Sequence, residues 1–279
     1  MSLVVHWHQR DVAAVALKPG SLTPSDRQVV SAIADAKARG LAVLVFPIVW
    51  VEKRAEGKWR GTLAPTDRDR WWLAYEAFVL HYTGLADVAG AEWMSVGSEL
   101  GSTETWRLRW YHLISRVQRS TDARLLYSAN WDHFSQVSFW KRLDAVGING
   151  YVPIAKSSDA QLSEMTAAWR KNKAILVSRA KKLKLPLVLT EVGYLSRDGG
   201  AVRPWDYTSP GGLDLEEQRR AYESFRKVWQ DERSLAGVLF WDWNGEGGAK
   251  DRGYTPRGKP AAAIVRRFFE GRLSASVRE

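Results

Sequence analysis

The chain has no cysteine among its 279 residues. That excludes a disulfide framework, a thiolate zinc site and a cysteine nucleophile. It has no apolar run near the roughly 20 residues that a membrane-spanning helix needs, so no membrane partner is expected. The N-terminal stretch MSLVVHWHQRD is too short in its apolar part for a signal peptide, and the chain as given is expected in the cytoplasm. No GxGxxG follows a strand to open a helix, and no glycine-rich stretch has phosphate-loop spacing, so no nucleotide cofactor is expected. No proline- or serine-rich linker divides the sequence, and residues 1–279 read as a single domain.

What is present points elsewhere. The net charge is +10, but the basic residues are dispersed. The densest run, SRAKKLKL at 178–185, falls on a predicted helix and reads as a solvated face. No nucleic-acid motif accompanies it, so no nucleic-acid partner is expected. Fifteen tryptophans are the unusual feature. Each offers a large flat apolar surface with one donor, suited either to a core or to stacking against the C–H face of a sugar.

Short apolar runs alternate with longer amphipathic segments. Strands are predicted over 2–8, 41–51, 91–99, 123–130, 144–151, 186–191 and 235–243. Helices are predicted over 23–40, 67–89, 103–119, 158–183, 214–231 and 259–270, with a short one near 135–142. Repeated strand–helix units imply a parallel sheet with helices outside it. The strands are nearly continuous apolar runs, as when both faces are covered. The expected fold is therefore α/β, of (β/α)8 TIM-barrel type. A complete barrel has eight strands, and seven are visible, so either the first βα unit is missing or one strand escapes the count.

In such barrels the chemistry sits at the C-terminal ends of the strands. The residues there are His6, His8, Trp50, Glu99, Asn130, Tyr151, Glu191, Trp241 and Asp242. Two of them are glutamates, Glu99 in SVGSEL and Glu191 in VLTEVGY. Burying an unpaired carboxylate at a strand end is expensive. Each is therefore either held in a structural ion pair or placed where a strand opens into a cleft. Two carboxylates over an aromatic-lined cleft are what glycoside hydrolysis uses: one protonated to donate to the leaving oxygen, one ionised to attack. A separation of about 5–5.5 Å would give retention of configuration.

At these residues the sequence resembles glycoside hydrolase family 113, of clan A, whose characterised members are β-mannanases. The resemblance is carried by WRG (59–61), SVGSEL (95–100), YSANWD (127–132), FWKRLDAVGINGYVPI (139–154), LTEVGYLSRDGGAVRPWDY (189–207), GVLFWDW (237–243) and GYTPRGKPA (253–261). It implies a retaining hydrolase of β-1,4-mannan or related mannose-containing oligosaccharides, with no cofactor and no metal. Mapped motif by motif, Glu99 is the expected acid/base and Glu191 the expected nucleophile. The same mapping makes the first visible strand the second of the barrel, so the absent unit is the first. The chain departs from its relatives at FPIVWV, where Ile48 and Trp50 stand in place of a polar residue, and at Ser98, where the clan typically has asparagine.

Around the two glutamates, Trp241 is the expected platform beneath the reactive sugar. Tyr151 is expected either to hydrogen-bond Glu191 or to be satisfied by the backbone. Asn130 and Trp131 follow the 123–130 strand, where Asn130 either binds a sugar hydroxyl or shapes the turn. Trp205 and Arg203 are candidates to wall the cleft after Glu191, as Trp59 and Arg60 are from an earlier loop. Trp50 joins them as a substrate contact. His6 and His8 lie on one side of a strand; with no third ligand evident, a structural or sugar-contacting role is expected rather than a metal half-site. The competing expectation is a carbohydrate-binding pseudoenzyme, truncated at its N-terminus. A barrel short of one strand has two unpaired edges, which stay open in a monomer or are covered in a homodimer. A gene start roughly 40 residues upstream, the size of one βα unit, would restore the first unit and could carry a secretion signal.

Overall fold

The computed structural model describes residues 1–276. The chain divides into two compact units, Met1–Ile148 and the part from Asn149 onward. In the first unit the order is β1 (Ser2–Gln9), α1 (Asp26–Ala38), β2 (Leu44–Val51), α2 (Arg68–Val88), β3 (Trp93–Ser98), α3 (Arg107–Gln118), β4 (Arg124–Asn130) and β5 (Ala145–Asn149), whose last residue opens the second unit. β1 and β2 run parallel in unbroken register from Ser2 opposite Leu44 to Gln9 opposite Val51. β2 pairs with β3, and β3 with β4, both parallel; the β3–β4 register slips between Ser95 and Ser98. That slip falls just before Glu99.

Local chemistry fixes the element ends. Ser25 and Gln28 form a reciprocal capping box at the start of α1, which satisfies two amides that the helix leaves orphaned. The Asp67 carboxylate accepts from the Asp69 and Arg70 amides at the start of α2. β2 is buried except at Trp50. The helices of this unit pack through aromatic rings: Trp110 stacks on Phe139 with centroids 4.4 Å apart, and Trp71 on Tyr75 at 5.2 Å.

The second unit holds α4 (Leu162–Leu183), β6 (Leu187–Val192), α5 (Leu215–Trp229), β7 (Leu235–Phe240) and α6 (Ala261–Ser276). β6 and β7 are parallel. Every residue of β6 is buried, as a strand covered on both faces requires. Its core is again aromatic: Trp169, Trp229, Phe225, Phe240 and Phe268 meet mostly edge to face, the geometry that ring quadrupoles favour. The tryptophans thus split between two uses. Trp71, Trp110, Trp169 and Trp229 are fully buried, whereas Trp50, Trp205 and Trp243 are exposed.

The strand–helix alternation read from the sequence is present, with element ends shifted by a few residues, and two of the differences have a visible physical cause. The helix expected near 135–142 is instead two 3-10 turns, Phe134–Gln136 and Trp140–Arg142. Between them Val137 is extended, and both the amide and the hydroxyl of Ser138 donate to Glu104 O. A continuous helix would need that amide for its own ladder. The last strand stops at Phe240 rather than 243, although the Trp241 amide still donates to Val192 O at 2.9 Å. Among the described residues, no helix is long and apolar enough to cross a membrane.

Candidate active site

Each unit presents one of the two glutamates, in a different setting. In the first unit, Glu99 follows β3 directly and is buried, 7% exposed. Its backbone is left-handed, with φ of 56°. For a residue with a Cβ that conformation costs roughly 1–3 kcal/mol and needs outside support. Two consecutive amides supply it: Glu99 N–H donates to Ser128 O at 2.8 Å, and Leu100 N–H donates to the Tyr127 hydroxyl at 2.8 Å. β4 therefore holds the corner that aims Glu99. Its side chain receives Arg60, whose Nη2 lies 2.5 Å from Glu99 Oε2. Arg60 opens a 3-10 turn, Arg60–Thr62, and the Trp59 amide at the N-cap donates to Thr62 Oγ1.

Elsewhere in that unit, Asn130 ends β4 half-buried, and its carbonyl accepts from His133 N–H in a turn. Trp131, next along, is half-buried. His6 and His8 do lie on one side of β1, their rings 5.1 Å apart, with the Trp50 ring 5.7 Å from His6. His8 Nδ1 is 3.2 Å from Glu52 Oε1. Burial, with the neighbouring His8 adding to it, holds the His6 imidazole below its ordinary value, which favours the neutral ring. Trp50 is 40% exposed, with the Arg54 guanidinium 5.1 Å above its ring.

In the second unit, Glu191 is the penultimate residue of β6 and is 4% exposed. Its backbone is regular strand, and its carbonyl accepts from Gly150 N–H at 2.6 Å. The Tyr151 phenol donates to Glu191 Oε2 at 2.7 Å. Of the two alternatives for Tyr151, the structure shows the bond to Glu191. One residue before the glutamate, Thr190 Oγ1 donates to Asn149 Oδ1 at 2.9 Å. The chain order Asn149, Gly150, Tyr151 thus runs beside Thr190 and Glu191. Tyr254 stands 6.0 Å from the Tyr151 ring and donates to Pro204 O. Its phenol is raised by burial, with the Glu191 charge adding to the rise.

Trp241 follows β7, half-buried, and its peptide bond to Asp242 is cis. Burial raises the Asp242 carboxyl. A Cβ at Gly193 would overlap Trp241 O, so the glycine after β6 is what allows that carbonyl so near. Trp205 is 46% exposed, in the 197–212 loop that Arg197 braces by donating to Ser209 O and Tyr207 O.

Reasoning from the sequence missed Tyr127 and Glu104, which stand behind Glu99. The signal was there: YSANWD contributes the tyrosine, and a second glutamate follows Glu99 within one loop. Neither reads as functional until β4 is seen to receive the Leu100 amide.

Comparison with known proteins agrees on one family. The model of Glycoside Hydrolase Family 113 matches residues 2–259. A GH113 β-1,4-mannanase superposes with a TM-score of 0.87 at 23% identity, covering 96% of this chain and 87% of that one. A GH113 β-mannanase from Alicyclobacillus acidocaldarius, in complex with ManMIm, gives 0.86 at 27% identity, covering 97% and 86%. Fungal β-1,4-galactanases are more distant, at 0.58 and 15% identity over 93% and 86%. No curated protein matches. The fold is accordingly of (β/α)8 TIM-barrel glycosidase type, with seven strands among the described residues.

Proposed function

The chain belongs to glycoside hydrolase family 113, and on that footing we propose that this glycoside hydrolase cleaves β-1,4-linked mannan or mannose-containing oligosaccharides with retention of configuration. The observation that carries the reading is Glu191, a buried strand carboxylate given a hydrogen bond by Tyr151. A neutral donor steadies a carboxylate without the full charge of an ion pair. That leaves it nucleophilic.

In the first step a Glu191 oxygen attacks the anomeric carbon. The C1–O glycosidic bond breaks as the new bond forms, and Glu99 gives its proton to the departing oxygen. In the second step Glu99, now ionised, takes a proton from water as the water oxygen bonds to C1, and Glu191 leaves with its electron pair. Arg60 against Glu99 suits the ionised form that the second step uses. The first step needs a proton on Glu99, so the Arg60 contact loosens as the sugar enters. Trp241, Trp50, Trp205, Trp59, Trp131 and Asn130 are the proposed sugar contacts, with His6 and His8 beside Trp50.

The test is a hydrolysis screen on β-mannan, cellulose and xylan oligomers, run beside Glu99→Gln and Glu191→Gln. Turnover of the mannan oligomers that both substitutions abolish is the expected result. A well-folded wild type that binds these oligomers and turns over none would instead favour a carbohydrate-binding role. Two variants at wild-type rates would remove both glutamates from the mechanism.

A further inference from the structure

Glu104 is a buried carboxylate for which the reaction above has no use. It lies just after the 3-10 turn Gly101–Thr103 and is 1% exposed. Its Oε1 accepts from the Tyr127 hydroxyl at 2.8 Å. Its Oε2 is buried without a hydrogen-bond partner among the described residues. Burial pushes the carboxyl up to about 7; the Tyr127 hydrogen bond and His133 oppose the rise, while Glu99 and Asp132 add to it. A group so placed is costly to keep, and a purely structural site would be served by an apolar side chain of similar size.

Tyr127 supplies the reason for keeping it. Its hydroxyl is the acceptor for Leu100 N–H, the second of the two bonds that hold the left-handed corner at Glu99. The first acceptor, Ser128 O, is backbone and is provided by any residue. The second is a side-chain oxygen, and a hydroxyl presents its lone pair to an amide only when its own proton points elsewhere. Glu104 Oε1 accepts that hydroxyl's hydrogen bond. The chain of bonds therefore runs from Leu100 N–H to Tyr127 to Glu104 in a dry interior, where each link polarises the next.

We propose that Tyr127 and Glu104 are positioning residues for the proton-donating step, a relay that fixes the backbone corner at Glu99 and so the direction in which Glu99 delivers its proton. The inference rests on the reading of Glu99 as acid/base. It predicts a selective defect. A leaving group that needs a proton would suffer when the relay is broken, and one that departs unaided would not.

The experiment compares kcat/KM for a β-1,4-mannan oligomer with kcat/KM for the 2,4-dinitrophenyl β-glycoside of mannobiose. The second reports attack by the nucleophile with little call for acid. Tyr127→Phe is expected to lose about 10- to 100-fold on the oligomer, the scale of a misplaced general acid, and to stay within about threefold on the dinitrophenyl substrate. Glu104→Gln keeps the acceptor oxygen and should recover most of the oligomer activity that Glu104→Leu loses. Should Tyr127→Phe fail to fold by circular dichroism, the Gln and Leu pair at Glu104 decides through the same two-substrate ratio. Equal loss on both substrates, or no loss in folded variants, overturns the relay while leaving the hydrolase reading intact. A wild type inert on both substrates overturns the hydrolase reading, and the relay with it.

Discussion

The two strand-end glutamates receive opposite kinds of support. Glu191 stays in regular strand and faces a neutral phenol, Tyr151. Glu99 sits one residue beyond its strand, in a left-handed corner, and faces a guanidinium, Arg60. A nucleophile has one task and one protonation state, so a rigid strand and a fixed neutral donor suit it. An acid/base must gain and lose a proton within each cycle. A strained corner held by one backbone and one side-chain acceptor, with a guanidinium beside the carboxylate, is a setting that can serve both states. On the proposed assignment, the two roles differ in backbone as well as in electrostatics.

The sharpest way to break this contrast is to remove each carboxylate. Glu191→Ala should abolish turnover of mannan oligomers and of the dinitrophenyl glycoside alike, since no covalent intermediate forms. Glu99→Ala should lower oligomer turnover by about 10²- to 10⁴-fold, the usual share of general acid–base catalysis. It should still release dinitrophenol in a burst, and added azide should speed the slow second step. Bursts from both variants, or from neither, would erase the distinction.

A second comparison sets one buried carboxylate in each unit side by side. Burial lifts both Glu104 and Glu217 to about 7. A carboxyl raised above its ordinary 4.5 on folding stabilises the protein fully below that value, and the contribution fades as pH climbs through 7. For Glu104 the loss is bounded at about 3 kcal/mol. The melting temperature of the wild type should therefore fall between pH 5 and 8, and Glu104→Gln should flatten that slope. Glu217 differs, because both its oxygens accept amides, from Gly199 and Ala201. Glu217→Gln would turn one acceptor into a donor facing a donor, so it should lower the melting temperature at every pH.

Tyr151→Phe tests the neutral support of Glu191 alone. A hydrogen bond to a charged group is worth about 1.5–3 kcal/mol, so kcat/KM should fall about 10- to 100-fold. Unlike the Tyr127 variant, it should slow both substrates together, since nucleophilic attack is common to them. A loss confined to the oligomer would move Tyr151 to the acid side of the mechanism.

Much of this was readable in the sequence, for a physical reason. Strands buried on both faces need unbroken apolar runs, so a lone glutamate at the end of VLTE or SVGSE stands out. The alternation of runs with amphipathic segments placed all seven strands within a few residues. The corner at Glu99 was not readable, because it depends on the slipped β3–β4 register and on acceptors at Tyr127 and Ser128, distant in sequence. The helix expected near 135–142 failed for a similar reason: Ser138 is claimed by Glu104 O. Arg60 was legible as a residue of the WRG motif, but its pairing with Glu99 was not. Long-range polar pairing leaves no period in the sequence.

The smallest expected effect separates surface tryptophans from core ones. Within the first unit, Trp71 is fully buried and donates through Nε1 to Gln9 Oε1 at 2.8 Å, whereas Trp50 is 40% exposed. Truncating a buried tryptophan costs about 3–5 kcal/mol of stability. Trp50→Ala removes a face that is already half in water, so its melting temperature should stay within about 2 °C of wild type, less than 1 kcal/mol usually moves it in a chain of this size. If Trp50 stacks on a sugar ring, about 1 kcal/mol of aromatic contact is lost, and KM for mannan oligomers should rise about fivefold with kcat unchanged. A fall in kcat instead would place Trp50 against the reacting sugar. An unchanged KM would return it to the ordinary surface, beside Arg54, His6 and His8.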